Sequence, residues 1–274
     1  MLRFIDTAEM EDSLALVTES CVPLETWLAN TNAQNSKDSS EASQHSQEDD
    51  PVKLQEILWG FKCILLALNF LHTNCSILHG NLGIHSIFVT PNGDWKLGGF
   101  ELAGNMSVQS DMDLFVKNAH LLNNYYCSSE RLQTEALRAK NPPYYVDMYS
   151  FGQCLNKVFA LLHLEMPRGF SKYLSAVLHA DMKKRPTAQK LCESAMFHSE
   201  HLQFIESIGE LSLKAPKEFL EVISQMEPKV AGLSRAVCAH KILPNLARTL
   251  QIAINDFPLR GWYCFIVVYF LCGR

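Results

Sequence analysis

The chain has 274 residues, 47% hydrophobic and 19% charged, with 24 Lys and Arg against 29 Asp and Glu for a formal charge of −5. That length and apolar fraction suffice for a core and exclude collagen, coiled coil and wholesale disorder. The acidic balance argues against a nucleic-acid-backbone binder, which carries a basic excess. Nine cysteines are scattered singly with no C-x-x-C pair, the pattern of reduced cytoplasmic thiols rather than of a disulfide framework. The opening Met1-Leu-Arg-Phe-Ile-Asp has neither the apolar run nor the small-residue cleavage site of a signal peptide.

In chain order, Ser13-Leu-Ala-Leu-Val-Thr reads as a short strand and Pro23-Leu-Glu-Thr-Trp-Leu as a helix start. Residues 31–51 hold five serines, one lysine and five acidic residues with nothing larger than alanine to bury. They carry nearly all of the net charge and are expected to form a flexible acidic loop. Ser46, three residues before Asp49, is open to two readings: a solvated spacer or a site for an acidophilic kinase. From Val52 to His72, Leu54, Ile57, Leu58, Phe61, Ile64, Leu65, Leu68 and Leu71 make one helical stripe. Glu56, Lys62 and Asn69 interrupt it, so a core helix is expected and not a membrane span. The runs Ser86–Thr90 and Trp95–Gly98 flank Pro91-Asn92-Gly93-Asp94, a hairpin signal. From about residue 145 the periodicity is helical. His198 and His201, three apart near a helix start, read as surface residues and not as metal ligands.

Ile77-Leu78-His79-Gly80-Asn81-Leu82-Gly83-Ile84-His85-Ser86-Ile87 resembles the protein-kinase catalytic loop H-R-D-L-x-x-x-N with its following strand. Lys96-Leu97-Gly98-Gly99-Phe100-Glu101 stands where a kinase has D-F-G, and Tyr126-Cys127-Ser128-Ser129-Glu130 where it has A-P-E. Asp147-Met-Tyr-Ser150-Phe-Gly152 resembles D-x-W-S-x-G, and Asp181-Met-Lys-Lys-Arg185-Pro186-Thr187 resembles D-x-x-x-R-P-T. Five motifs in the right order make a specific signal where each alone is weak.

The resemblance implies a degenerate active site. Asn81 stands at the catalytic aspartate, Ser86 at the magnesium-binding asparagine and Gly99 at the magnesium-binding aspartate, while Gly80 replaces the loop arginine. An uncharged amide cannot take the substrate's hydroxyl proton as a carboxylate does. No glycine-rich phosphate loop or V-A-I-K lysine stands before the strand near Leu14. No catalytic, cofactor-binding or metal-binding residue and no cofactor is therefore expected. The architectural residues remain, by the same resemblance. His79 and Asp147 would tie the loop to the central helix, and Glu130 and Arg185 would form the buried ion pair that holds the activation segment.

An H-x-N loop followed by W-K-L-G-G, and the run into further helices, is similar to the SCY-like pseudokinases, also called N-terminal kinase-like proteins. Phe197–Ile208 and Pro216–Ile223 resemble that family's linking helices, and Cys238-Ala-His-Lys-Ile-Leu-Pro-Asn-Leu246 the opening of its HEAT array. The fold class implied is α+β and mainly helical. It comprises a small-lobe remnant and hinge over residues 1–30, the acidic loop over 31–51, and a kinase-like large lobe over 52–198. Linking helices with the start of a HEAT-type solenoid follow over 199–255, and an atypical apolar tail over 256–274. The family implies a scaffold or adaptor in Golgi–endoplasmic reticulum, coatomer-linked traffic, with some members tied to tRNA export. It implies protein partners, no nucleic acid, no transmembrane span, and a cytoplasmic place with peripheral Golgi association. Two alternatives stand beside it: a residual kinase or ATP-binding domain, and a product truncated at both ends without independent function. The tail holds eleven consecutive apolar or aromatic residues between Gly261 and Gly273, too few for a spanning helix of about twenty. It reads either as an abnormal end or as a segment docked on the lobe.

Overall fold

Short apolar runs flank the polar pair Glu11-Asp12. The computed structural model describes residues 1–38, 49–132, 144–214, 216–230, 233 and 237–256. It folds those runs into an antiparallel ribbon of β1 (Phe4–Met10) and β2 (Ser13–Thr18), with Ala8 opposite Ala15 and Met10 opposite Ser13. Next come β3 (Val22–Pro23), α1 (Leu24–Asp38), α2 (Asp49–Phe70), β4 (Ile77–Leu78), β5 (Ile87–Val89), β6 (Trp95–Leu97) and β7 (Gly104–Asn105). Strands β3, β5 and β6 form one antiparallel sheet in that order, and β4 pairs with β7. The amide of Leu2 donates to the Leu97 carbonyl at 2.8 Å, fastening the start of the ribbon to β6. Gly93, in the Asn-Gly turn, takes φ +76°, which that hairpin requires.

The segment expected to be a loop over 31–51 is helical at both of its ends. Helix α1 runs on to Asp38, and α2 begins at Asp49 rather than Val52. Once Leu24 and Leu28 are buried and the first turn is formed, each further residue adds a hydrogen bond at little cost, and residues 24–38 contain no Gly or Pro to stop it. Asp49-Asp50-Pro51 in turn is a good helix start, with acid at the positive end of the dipole and proline where no amide is needed. Residues 39–48, Ser46 among them, lie outside the described residues.

Over Lys53–Cys75 the chain is long and apolar enough by composition to cross a bilayer, yet its stripe is the centre of the core. Ile57, Phe61, Ile64, Leu65 and Leu68 are fully buried. Phe61 meets Trp95 at 4.9 Å and Phe151 at 5.4 Å between ring centroids. A Cβ at Gly60 would fall 2.2 Å from the Trp95 indole, so the missing side chain lets the hairpin approach the helix. The far wall of the core is α4 (Tyr145–Leu161), following α3 (Gln109–Lys117); Met148, Phe151, Leu155 and Val158 of α4 are buried. Two short helices complete this region, α5 (Ser171–Val177) and α6 (Ala188–Cys192). Thr187 caps α6 by accepting from the Lys190 amide.

The chain divides into two units, Met1–Ser199 and the part from Glu200 onward. The second contains α7 (Glu200–Gly209), α8 (Pro216–Ser224), α9 (Met226–Val230) and α10 (Leu243–Asp256), the last preceded by a π-helical turn over Cys238–Ile242. Phe204, Ile208, Leu211, Met226, Ile242 and Leu246 form its own buried cluster. The tail beyond Asp256 lies outside the described residues.

Candidate functional site

The site is built around a short strand, β4, that delivers His79 into the core. The α2 helix ends in a π turn over Leu71–Cys75, and Ser76 reverses the chain with φ +55°. This turn brings His72 and His79 to one side of Asp147, in the first turn of α4. The Asp147 carboxylate is fully buried and accepts three hydrogen bonds. Its Oδ2 takes the His79 amide and His72 Nε2, and its Oδ1 takes the Gly80 amide, each at 2.9 Å. Burial by itself would raise the carboxyl's pKa, but the His72 hydrogen bond and charge, with His79 and the Gly80 amide, outweigh it and hold it below the usual range.

His79 is likewise fully buried, and both ring nitrogens are committed. Nε2 faces the Gly98 carbonyl at 2.8 Å, and Nδ1 receives the Asn81 amide at 3.3 Å. A carbonyl can only accept and an amide N–H can only donate, so the proton sits on Nε2 and the ring is neutral. Desolvation lowers its pKa against the opposing pull of Asp147. The edge of its ring meets Phe100 at 4.9 Å between centroids. His79 thereby connects three segments: the loop, the start of α4 and the Gly98-Gly99 turn.

The outward side of the same loop is occupied differently. Asn81 Oδ1 lies 3.2 Å from His85 Nε2, while its Nδ2 donates to the Gly99 carbonyl at 3.4 Å and to Glu101 Oε2 at 3.3 Å. Ser86 is turned inward: its hydroxyl accepts from the Gly83 amide at 3.0 Å and donates to the Gly83 carbonyl at 2.9 Å. Gly99 takes φ +72°, and a Cβ there would lie 2.7 Å from the Ser86 Cβ. Gly80 takes φ +74°, and a Cβ there would lie 2.5 Å from the Phe115 ring. The three positions that the kinase resemblance marks for proton and metal chemistry thus come together in space. The polar groups of Asn81 and Ser86 are engaged by neighbours: Asn81 by Gly99, Glu101 and His85, and Ser86 by the Gly83 backbone. Among the described residues no group of three or more His, Cys, Asp and Glu side chains could hold a metal ion.

Glu130 and Arg185, 55 residues apart, meet as an ion pair through Oε1 and Nη1. Arg185 also donates from Nε to the His179 carbonyl at 2.9 Å and from Nη1 to the Tyr145 carbonyl at 3.0 Å, with its guanidinium 5.0 Å from the Tyr149 ring centre. Ser150 adds a second tie by donating to the Tyr126 carbonyl at 2.7 Å. Residues 133–143, between Glu130 and α4, lie outside the described residues. His72 and Phe115 were not singled out from the sequence, whereas Ser150 stood in the D-x-W-S-x-G resemblance without its bond to Tyr126. His72 had a signal, since it ends the apolar stripe seven residues before His79; Phe115 had none apart from the fold.

Core helices α2 and α4, the His79 loop with its hairpin, and the Glu130–Arg185 clasp define a protein-kinase-like lobe. No protein-family model matches the chain. Among curated proteins it is 24% identical over 260 residues to the mouse (Mus musculus) "Protein-associating with the carboxyl-terminal domain of ezrin", covering 92% of this chain and 32% of that protein. It is 23% identical over 264 residues to the "Probable inactive serine/threonine-protein kinase scy1" of Dictyostelium discoideum, covering 92% and 30%. It is 23% identical over 276 residues to the "Protein kinase domain-containing protein ppk32" of Schizosaccharomyces pombe, covering 87% and 35%. Among solved structures, the crystal structure of Cex1p shares the fold, with a TM-score of 0.54, 16% identity, and coverage of 92% of this chain and 43% of that one. These curated relatives, at 23–24% identity over most of the chain, support its likeness to the SCY-like pseudokinases. The chain spans about a third of the length of the curated relatives it matches.

Proposed function

We propose that the chain acts by binding, as a catalytically inactive kinase-like scaffold or adaptor. The observation that carries this reading is the closure of the outward side of the loop. Asn81, Ser86 and Gly99 offer no carboxylate, and the side-chain polar atoms of Asn81 and Ser86 are engaged by the loop and by the Gly99–Glu101 segment. Phosphoryl transfer depends on positioning and on metal-borne charge neutralisation, so a site without those oxygens has no means of carrying it out. The architectural roles of His79, Glu130, Asp147 and Arg185 belong to the same reading: they keep the lobe in shape for partners.

The finer parts extend it by family likeness. The helices from Glu200 onward are read as linking helices and the start of a HEAT-type solenoid, a reading supported by Phe204 and Ile208 of α7 sharing one buried cluster with Leu246 of α10. Partners are proteins, and the mouse relative, named for association with the carboxyl-terminal domain of ezrin, is in keeping with that. A role in Golgi–endoplasmic reticulum traffic through coatomer, at a cytoplasmic and peripheral Golgi site, is the family-level proposal. The test is a thermal-shift titration of the chain with ATP, with and without Mg²⁺. No stabilisation is expected in either series. A reproducible rise in Tm that Mg²⁺ enlarges would instead establish the residual nucleotide-binding reading.

A further inference from the structure

Four serines have a carboxylate three residues on: Ser46, Ser110, Ser207 and Ser224. Acidophilic protein kinases accept that spacing, because their basic side chains pair with the downstream acids. Ser46 lies outside the described residues. Ser207 lies within α7 and Ser224 at the end of α8, and their hydroxyls donate to the Phe204 and Glu221 carbonyls at 2.8 Å. Ser110 differs from both. A second acid, Asp111, follows it directly, ahead of Asp113 at the third place. Its side chain is exposed, and its hydroxyl makes a long contact of 3.4 Å with Asp111 Oδ1. It is also the second residue of α3, and Val108, just before that helix, has no side-chain oxygen to cap the first turn.

Nine residues with an uncapped start make a marginal helix. Its buried anchor is Phe115, packed with Leu78 and Val146. The first turn is tied by the Asn105 amide donating to Asp111 Oδ2 at 3.0 Å and by Gln109 Nε2 donating to Asp113 Oδ1 at 2.9 Å. Neither bond is buried, so both exchange for water at small cost. The start of α3 can therefore open into an extended segment while Phe115 stays seated. We propose that Ser110 is a phosphorylation site for an acidophilic protein kinase, and that phosphoserine at 110 then makes Ser107 a second site. Ser107 is exposed in the turn before α3, with Ser110 three residues on. A neutral serine gives it no downstream acid there, whereas a phosphate does. In each step the serine Oγ attacks the γ-phosphorus of the kinase's ATP. The Oγ–P bond forms, the bond to the departing ADP oxygen breaks, and the hydroxyl proton passes to the kinase's base. Each phosphate adds about −1.5 to −2 of charge on the outer face of α3, beside Asp111 and Asp113. The modifying kinase acts from outside, so the site is independent of whether the His79 loop binds nucleotide.

The full chain is incubated with a purified acidophilic kinase and Mg-ATP, and phosphate is located over time by tandem mass spectrometry. Ser110 is expected to be modified first and Ser107 after it. Asp113→Asn should slow modification of Ser110 by roughly tenfold. Ser110→Ala should abolish modification of Ser107 as well, and Ser110→Asp should restore it. All of these positions are exposed, so the variants keep the fold; circular dichroism checks it. Modification of Ser110 in a synthetic peptide of residues 104–117 but not in the chain would show that α3 stays closed, and would overturn the proposal. Undiminished labelling of Ser107 in Ser110→Ala would overturn the order of the two sites.

Discussion

The two sides of the loop at residues 78–87 have the same chain and opposite characters. On the inward side, Asp147 and His79 are buried and each carboxylate oxygen or ring nitrogen is met by a named partner, as the buried Arg185 is in its clasp with Glu130. On the outward side, the part-exposed Asn81 closes on Gly99, which packs in turn against the buried Ser86. A buried charge left without its partner costs several kcal/mol, whereas a part-exposed amide can be exchanged at small cost. The contrast teaches that the fold constrains the inward set by energy, whatever the outward set does. Each prediction below measures one side against the other.

The largest effect is expected at the clasp. Arg185→Ala leaves the Glu130 carboxylate in the interior and releases the His179 and Tyr145 carbonyls, at a cost of ~3–5 kcal/mol. Arg185→Lys recovers little, because Nε and Nη1 serve different partners and an ammonium has no fork to do both. Urea denaturation followed by helical circular dichroism measures both. A loss below about 1 kcal/mol for the alanine variant would break the contrast between the two sides.

Next comes the His79–Asp147 pair, which has a pH signature. His79 has a folded pKa below its ordinary 6.5, so the native state binds fewer protons than the unfolded chain. Its contribution is complete above about 6.5 and is lost as pH falls from there towards the folded value. Asp147 is also held low, so its contribution is present above its ordinary 3.8 and is lost only as pH falls through the lower folded value. Stability is therefore expected to fall in two steps on acidification. In His79→Gln the upper step should flatten while the lower one stays. A wild-type profile without slope between pH 6.5 and 5 would contradict the neutral, doubly committed imidazole.

Much of this was legible in the sequence, but unevenly. The order of motifs led to the lobe because architecture there rests on residue types that are hard to replace: Asp147 under two amides, Arg185 across from Glu130. The α2 stripe and the Asn-Gly hairpin were legible because period and turn chemistry are local. The helical ends of the acidic segment were not legible, because composition reports burial and not helix propagation, which neighbouring turns decide. Ser86 could be read as a lost ligand, but its inward hydroxyl could not, since that depends on the loop's closure over Gly83. The partnership of His72 with Asp147 depends on a π turn that no periodicity announces.

The smallest effects are expected on the outward side, and their two members should differ. Asn81→Asp puts a carboxylate on a part-exposed position where His85 Nε2 can donate to it but Glu101 opposes it. The stability change should stay within about 0.5 kcal/mol. Gly99→Ala, in contrast, forces a side chain into a left-handed backbone 2.7 Å from the Ser86 Cβ and should cost about 1–3 kcal/mol. Neither that position nor Ser86 has room for a metal ligand while the Ser86 hydroxyl stays bonded to Gly83. Asn81→Asp alone is therefore expected to yield no phosphate transfer from radiolabelled ATP to a generic acceptor protein or to itself. Turnover by that single variant would mean that the loop opens readily, and the outward side would then be dormant rather than closed.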